Sequence, residues 1–173
     1  MALVVLLRGV NVGGHRIFRP TTLIKQLRHL DAVNIGAAGT FVVRKPMTRS
    51  KLRAELASKV PVGTEIIVCE GREIVRLMSD RRFADQAMRP NVVRFVTVLS
   101  RRPRSAPLLP LRFPSSGPWL LQILARDRQF VVGMYRRHLK VIGYLGKIDR
   151  LFGVPVTTRN WNTMTALAKV LAG

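Results

Sequence analysis

Residues 2–7, Ala2-Leu3-Val4-Val5-Leu6-Leu7, are apolar without a break and are followed by Gly9. Six such residues in a row read as a strand buried on both faces. Beyond the loop to Arg19, Pro20 suits a first helical turn, and Leu23, Ile24, Leu27 and Leu30 recur at helical spacing, predicting a helix of about three turns. Val33 to Ala37 and Thr40 to Arg44 are short β-rich runs around Ala38-Gly39, closed by Pro46, and predict a hairpin. Thr48 or Ser50 stands where a cap is needed for a helix carrying Leu52, Leu56 and Val60, which Pro61 and Gly63 end before a strand over Glu65 to Cys69. The resulting order, β-α-β-β-α-β, is that of an α+β unit of the ferredoxin-like (α/β-plait) kind. Its first and third strands are central, in agreement with the apolar runs at Ala2 to Leu7 and Phe41 to Val43.

The remainder is less regular. A helix is expected over Arg72 to Met78 and a strand over Val92 to Leu99. Ser100 to Pro118 holds five Pro and four Arg in 19 residues, too long for a tight turn and unsuited to a central strand, so it reads as a basic loop. Within it Pro107-Leu-Leu-Pro110-Leu-Arg112 fits the PxxPxR pattern of polyproline ligands, with a semi-rigid connector as the simpler reading. Trp119 to Leu124 and Phe130 to Tyr135 read as strands joined at Arg126-Asp127-Arg128, and a last helix runs from about Asn162 to Leu171. The expected division is a first subdomain over 1–70 and a second α+β subdomain over 71–173, carrying the loop 100–118 and the C-terminal helix.

A chain of 173 residues can bury roughly 70% of its unfolded surface, and 47% hydrophobic residues exclude a disordered basic tail. Thirty Lys and Arg against nine Asp and Glu give a net charge of +21. Spread evenly over roughly 8,500 Å² of surface, these charges would lie about 20 Å apart, beyond a Debye length of about 8 Å. Only clustering would therefore steer a ligand. Between Asp85 and Asp127 there is no acidic residue, yet Arg89, Arg94, Arg101, Arg102, Arg104, Arg112 and Arg126 all fall there. These are the candidate nucleic-acid contacts, with an arginine-rich solvated face as the competing reading. The single Cys69 permits neither an internal disulfide nor a structural cysteine zinc site, and reads as a buried thiol. A reducing compartment fits, and with no apolar run of membrane-spanning length and no export signal the expected location is the cytoplasm.

Two segments have the composition of an anion site. Arg8-Gly9-Val10-Asn11-Val12-Gly13-Gly14 is a glycine-rich loop between a strand and a helix, where backbone amides can face an anion. Gly9 and Gly14 have P-loop spacing, but His15 and Arg16 replace the Lys and Ser/Thr that loop requires, so nucleotide hydrolysis by that route is unsupported. The competing reading is a tight turn needing positive φ. Thr157-Thr158-Arg159-Asn160-Trp161-Asn162-Thr163 gathers hydroxyls, amides and a guanidinium beside an expected helix N-terminus. Here the competing reading is local: Asn160, Asn162 or Thr163 caps the helix while Trp161 packs against a sheet. His15, His29 and His138 are scattered, no carboxylate pair or G-x-S-x-G elbow is present, and no catalytic residue, metal ligand or cofactor is assigned. A standard RNA-recognition motif is rejected, because the first strand lacks the aromatics that stack bases.

The opening Leu6-Leu7-Arg8-Gly9-Val10-Asn11-Val12-Gly13-Gly14 and the segment Thr157 to Thr163 resemble the LLRGINVGG and TTRNWNT motifs of the domain of unknown function 1697 family. The resemblance covers nearly the whole chain and implies an α+β fold of two plait-like subdomains with no established activity. It points to Arg8, Asn11, Gly13, Gly14 and Thr157 to Thr163 as site residues. Where relatives have Ser-Gly-Asn this chain has Ala38-Gly39-Thr40, and His15 stands in place of a common Lys. The first departure loses a hydroxyl at Ala38 and exchanges an amide for the hydroxyl of Thr40, and the second exchanges an ammonium for the imidazole of His15.

The functional expectation is a non-catalytic binding protein for anionic ligands, nucleic acid or a phosphorylated molecule. The alternative is an enzyme acting on a small phosphorylated or carboxylated substrate, bound between the glycine-rich loop and the start of the last helix. A partner-binding module, hinted at only by the Pro-rich loop, is a third reading.

Overall fold

The computed structural model describes residues 2–9, 18–81 and 89–173. Asn11, Gly13 and Gly14 of the glycine-rich loop, with His15 and Arg16, lie outside the described residues. The chain forms two compact units, Met1–Ser79 with Thr165–Gly173, and Asp80–Met164.

In the first unit β1 (Leu3–Arg8), α1 (Pro20–Gln26), a 3₁₀ turn (Arg28–Leu30), β2 (Ala32–Ile35), β3 (Thr40–Val43), α2 (Arg49–Ala57) and β4 (Glu65–Glu70) follow the anticipated order. The sheet order is β2-β3-β1-β4 and every pair is antiparallel. Strands β1 and β3 are central, as their unbroken apolar runs require. On one face Leu3, Val5, Leu7, Phe41 and Val43 pack against Leu23, Leu27, Leu30, Leu52 and Leu56 of the helical side. Val4, Leu6, Val42, Ile67 and Cys69 on the opposite face are buried as well. Of the two possible caps of α2, Thr48 is the one used: its hydroxyl accepts from Lys51 N at 3.2 Å. Gly39 ends the β2–β3 turn at φ 79°, its carbonyl accepting from Leu7 N at 2.8 Å, and a Cβ there would stand 3.0 Å from Leu7 Cβ.

The first unit extends past residue 70 because α3 (Gly71–Ser79) continues directly from β4. Gly71 N donates to the Ala2 carbonyl at 2.9 Å, and Ile74 and Leu77 are buried. Glu73 Oε2 accepts from Glu70 N at 3.0 Å and from Arg49 Nη2 at 3.1 Å, tying the starts of α2 and α3 together.

The second unit is built on the sheet β6-β7-β8-β5-β9, from β5 (Val92–Leu99), β6 (Leu111–Phe113), β7 (Leu121–Asp127), β8 (Phe130–Arg136) and β9 (Val156–Asn160). Two short helices, α4 (Val141–Leu145) and α5 (Ile148–Phe152), precede β9, and α6 (Trp161–Ala172) follows it. Phe95, Leu99, Leu121, Ile123 and Val131 form one core face with Ile148, Phe152, Val154 and Val156.

Three features differ from the sequence expectation. The loop 100–118 contains strand β6, paired at the sheet edge with β7, and its Leu109, Leu111 and Phe113 pack on the core. Arg104 N also donates to the Phe152 carbonyl at 2.8 Å, so the segment is part of the unit and not a free polyproline ligand. Residues 156–160 are a strand, not the approach to a helix. Helices α4 and α5 span five residues each, too short to show a helical period.

Gly133 of β8 lies opposite Phe95 of β5. A Cβ at Gly133 would stand 2.8 Å from Phe95 Cε1 and nearer still to Phe95 Cζ and the Gln122 carbonyl oxygen. The ring fills the space a side chain would take, and the backbone oxygen cannot withdraw. Gly133→Ala is therefore expected to destabilise the fold by about 3 kcal/mol, read as a lower urea midpoint at unchanged slope.

Candidate functional site

The Thr157 to Asn160 part of the polar segment forms most of an edge strand, and the pleat sends successive side chains to opposite faces. Thr157 and Arg159 fall on one side and Thr158 and Asn160 on the other, so the expected seven-residue cluster does not converge. Much of its hydrogen bonding is spent internally. Thr158 Oγ1 meets Thr97 Oγ1 of the neighbouring strand at 2.7 Å. Arg159 is 7% exposed, and its Nη1 donates to Thr157 Oγ1 at 2.6 Å and to the Thr158 carbonyl at 3.0 Å. Burial lowers the Arg159 pKa from its ordinary value to about 10, because the charged form loses hydration; the guanidinium keeps its proton at neutral pH. Asn160 is the helix cap: its Oδ1 accepts from Thr163 N at 2.9 Å.

What remains open lies at the junction of β9 and α6. A concavity of about 100 Å³ is lined by Val92, Val93, Arg94, Arg137, Asn160, Trp161 and Asn162, which bring two guanidinium groups and two amides and, among the described residues, no carboxylate. The Arg94 Cζ sits 4.5 Å from the centroid of the Trp161 ring, and burial lowers the Arg94 pKa. A second stack of the same kind lies in this unit, Arg136 Cζ standing 4.4 Å from the Trp119 ring. Stacking on a ring face holds the guanidinium plane. Arg136, Arg137 and Trp119 were not singled out from the sequence. Arg136 and Arg137 lie outside the acid-free interval, and neither stack has a fixed sequence spacing.

The arginines of that interval divide between two ends of the sheet. Arg89 precedes β5, Arg94 is near its start, and Arg112 is on β6 opposite Gln122 near the start of β7. Arg101, Arg102 and Arg104 follow the far end of β5, and Arg126 lies by the β7–β8 turn, where it donates to the Arg128 carbonyl at 2.8 Å. Eight residues of strand put these ends on the order of 25 Å apart, beyond the Debye length. Of the first-unit candidates, Arg8 is exposed at the end of β1, and Asn11, Gly13 and Gly14 are outside the described residues.

Other chemistry has little footing. Cys69 is fully buried, and burial, then Glu73, pushes its thiol up, away from the reactive thiolate. Among the described residues no group of three or more His, Cys, Asp or Glu could hold a metal, and no helix is long and apolar enough to cross a membrane.

The molecule is thus an α+β protein of two antiparallel sheets with an arginine-lined concavity at a strand-to-helix junction. The chain belongs to the family described as protein of unknown function, DUF1697, which it matches over residues 1–118. Its structure is similar to that of the conserved bacterial protein SP0830 from Streptococcus pneumoniae, with a TM-score of 0.63 at 12% identity, covering 99% of this chain and 98% of that one. At this identity the likeness is one of fold. No protein of curated function matches the chain.

The capping geometry separates the two asparagines. Asn160→Ala should cost about 1 kcal/mol of stability by loss of the cap, whereas Asn162→Ala should stay within about 0.5 kcal/mol. Thermal unfolding of the two variants beside the parent checks this.

Proposed function

We propose that the chain is a non-catalytic binding protein for anionic ligands, with the β9–α6 junction as its binding site. The supporting observation is the concavity itself: Arg94 and Arg137 with Asn160 and Asn162, beside Trp161, at the first turn of α6 and with no acidic side chain among the described residues that line it. The surrounding charge favours the same ligands, since residues 89–164 contain fourteen Lys and Arg against two Asp and no Glu. A phosphate entering there would meet guanidinium donors and the positive end of the helix dipole together.

We further infer that the first unit is a ferredoxin-like plait, supported by its β-α-β-β-α-β order and by the antiparallel sheet order β2-β3-β1-β4. The reading centres on the second unit, supported by its two arginine–tryptophan stacks.

Fluorescence anisotropy with a labelled duplex oligonucleotide tests the reading. If about six phosphates are neutralised, log K should fall against log salt with a slope of roughly −5. Arg137→Gln, a change at an exposed residue, should weaken binding several-fold and reduce the slope by about one. Failure of oligonucleotides and inorganic tripolyphosphate alike to bind at low salt would remove the proposal.

A further inference from the structure

The register of the second sheet brings its two arginine–tryptophan stacks into one group. Val92 lies opposite Arg136 and Arg94 opposite Met134, so Arg94 and Arg136 project from the same face as diagonal neighbours, about 7 Å apart. Trp161 follows Asn160, the partner of Phe95, and stacks on Arg94. On the other side Arg136 N donates to the Leu120 carbonyl at 2.8 Å, which brings Trp119 alongside, and Arg136 stacks on it. The four planar groups run in the order Trp119, Arg136, Arg94, Trp161 across the end of the sheet. All four are half-buried, so each retains some surface toward solvent. Exposed Arg137 and Asn162 lie beside the Trp161 end.

We propose that these four groups are a stacking platform for the bases of a single-stranded nucleic acid, an inference that rests on the anionic-ligand reading above and narrows it. A purely ionic site needs no aromatic groups, and both tryptophans of the chain are here, each against an arginine. Aromatic rings and guanidinium planes are the surfaces on which unpaired bases stack. Exposed Arg137 is then placed to meet the phosphates. In a duplex the base faces are already covered, so the platform favours a single strand. It lies on the second unit and uses none of the strands by which an RNA-recognition motif reads its ligand, so it is compatible with the lack of aromatics on β1.

Because the chain has only two tryptophans, its whole indole emission reports on the platform. The full chain is titrated with a 12-nucleotide oligothymidylate and with an abasic 12-mer carrying the same phosphates. The expected result is quenching by the oligothymidylate and binding at least tenfold tighter than that of the abasic strand. Trp161→Leu and Trp119→Leu should each reduce that preference on the order of tenfold. Trp161→Phe, which keeps a ring, should lose less, and with Trp119→Leu it carries the test if Trp161→Leu is unfolded by circular dichroism. Equal affinity for the two strands with unchanged emission overturns the platform and leaves the anion reading standing. If neither strand binds at low salt, both fall.

Discussion

The register of β5 against β8 and β9 is the constraint on which the second unit depends. In an antiparallel pair, residues opposite one another share a face, so a single alignment, Phe95 with Gly133 on one side and with Asn160 on the other, assigns every side chain of three strands. It puts Phe95 over the glycine that makes room for it, Thr97 against Thr158, and Arg94 where it meets Trp161. A slip of one residue would turn Arg94 into the core and Phe95 out of it. The burial of Phe95 and Leu99 therefore holds the polar end of the sheet in place.

The same pleat explains why the polar segment before α6 is mostly not a binding surface. Seven polar or aromatic residues in succession look like a cluster when read along the chain, but a strand divides them. Thr157 and Arg159 satisfy one another in the interior, Thr158 closes on Thr97, and Asn160 spends its carbonyl on the helix cap. The concavity is formed by what is left, Trp161, Asn162 and the amide of Asn160, together with Arg94 and Arg137 from elsewhere in the chain. The concavity is a product of strand ends meeting, not of one motif.

The described strands and helices of the first unit up to β4 were legible because each is specified locally. Unbroken apolar runs mark β1 and β3, a helical stripe from Leu23 to Leu30 marks α1 and the 3₁₀ turn, and Thr48 caps α2. The second unit was legible only where its strands are long. Strand β6 was hidden among prolines and β9 among threonines and an arginine, residues whose burial depends on having a neighbouring strand to pair with. The unit boundary moved from residue 70 to Ser79 for a similar reason, since α3 is joined to the first sheet by the contact of Gly71 with Ala2.

By itself the sequence determined an α+β chain with a strongly positive second half, two tryptophans and a single cysteine suited to the interior, because composition, period and capping chemistry act between residues close along the chain. Which arginines stand together was decided only by tertiary structure. Arg94 and Arg101 are seven residues apart yet near opposite ends of a strand, while Arg94 and Arg136, 42 positions apart, are diagonal neighbours. A strand carries the chain about 3.4 Å per residue away from its start, and antiparallel pairing brings remote residues back within one strand spacing of about 4.8 Å.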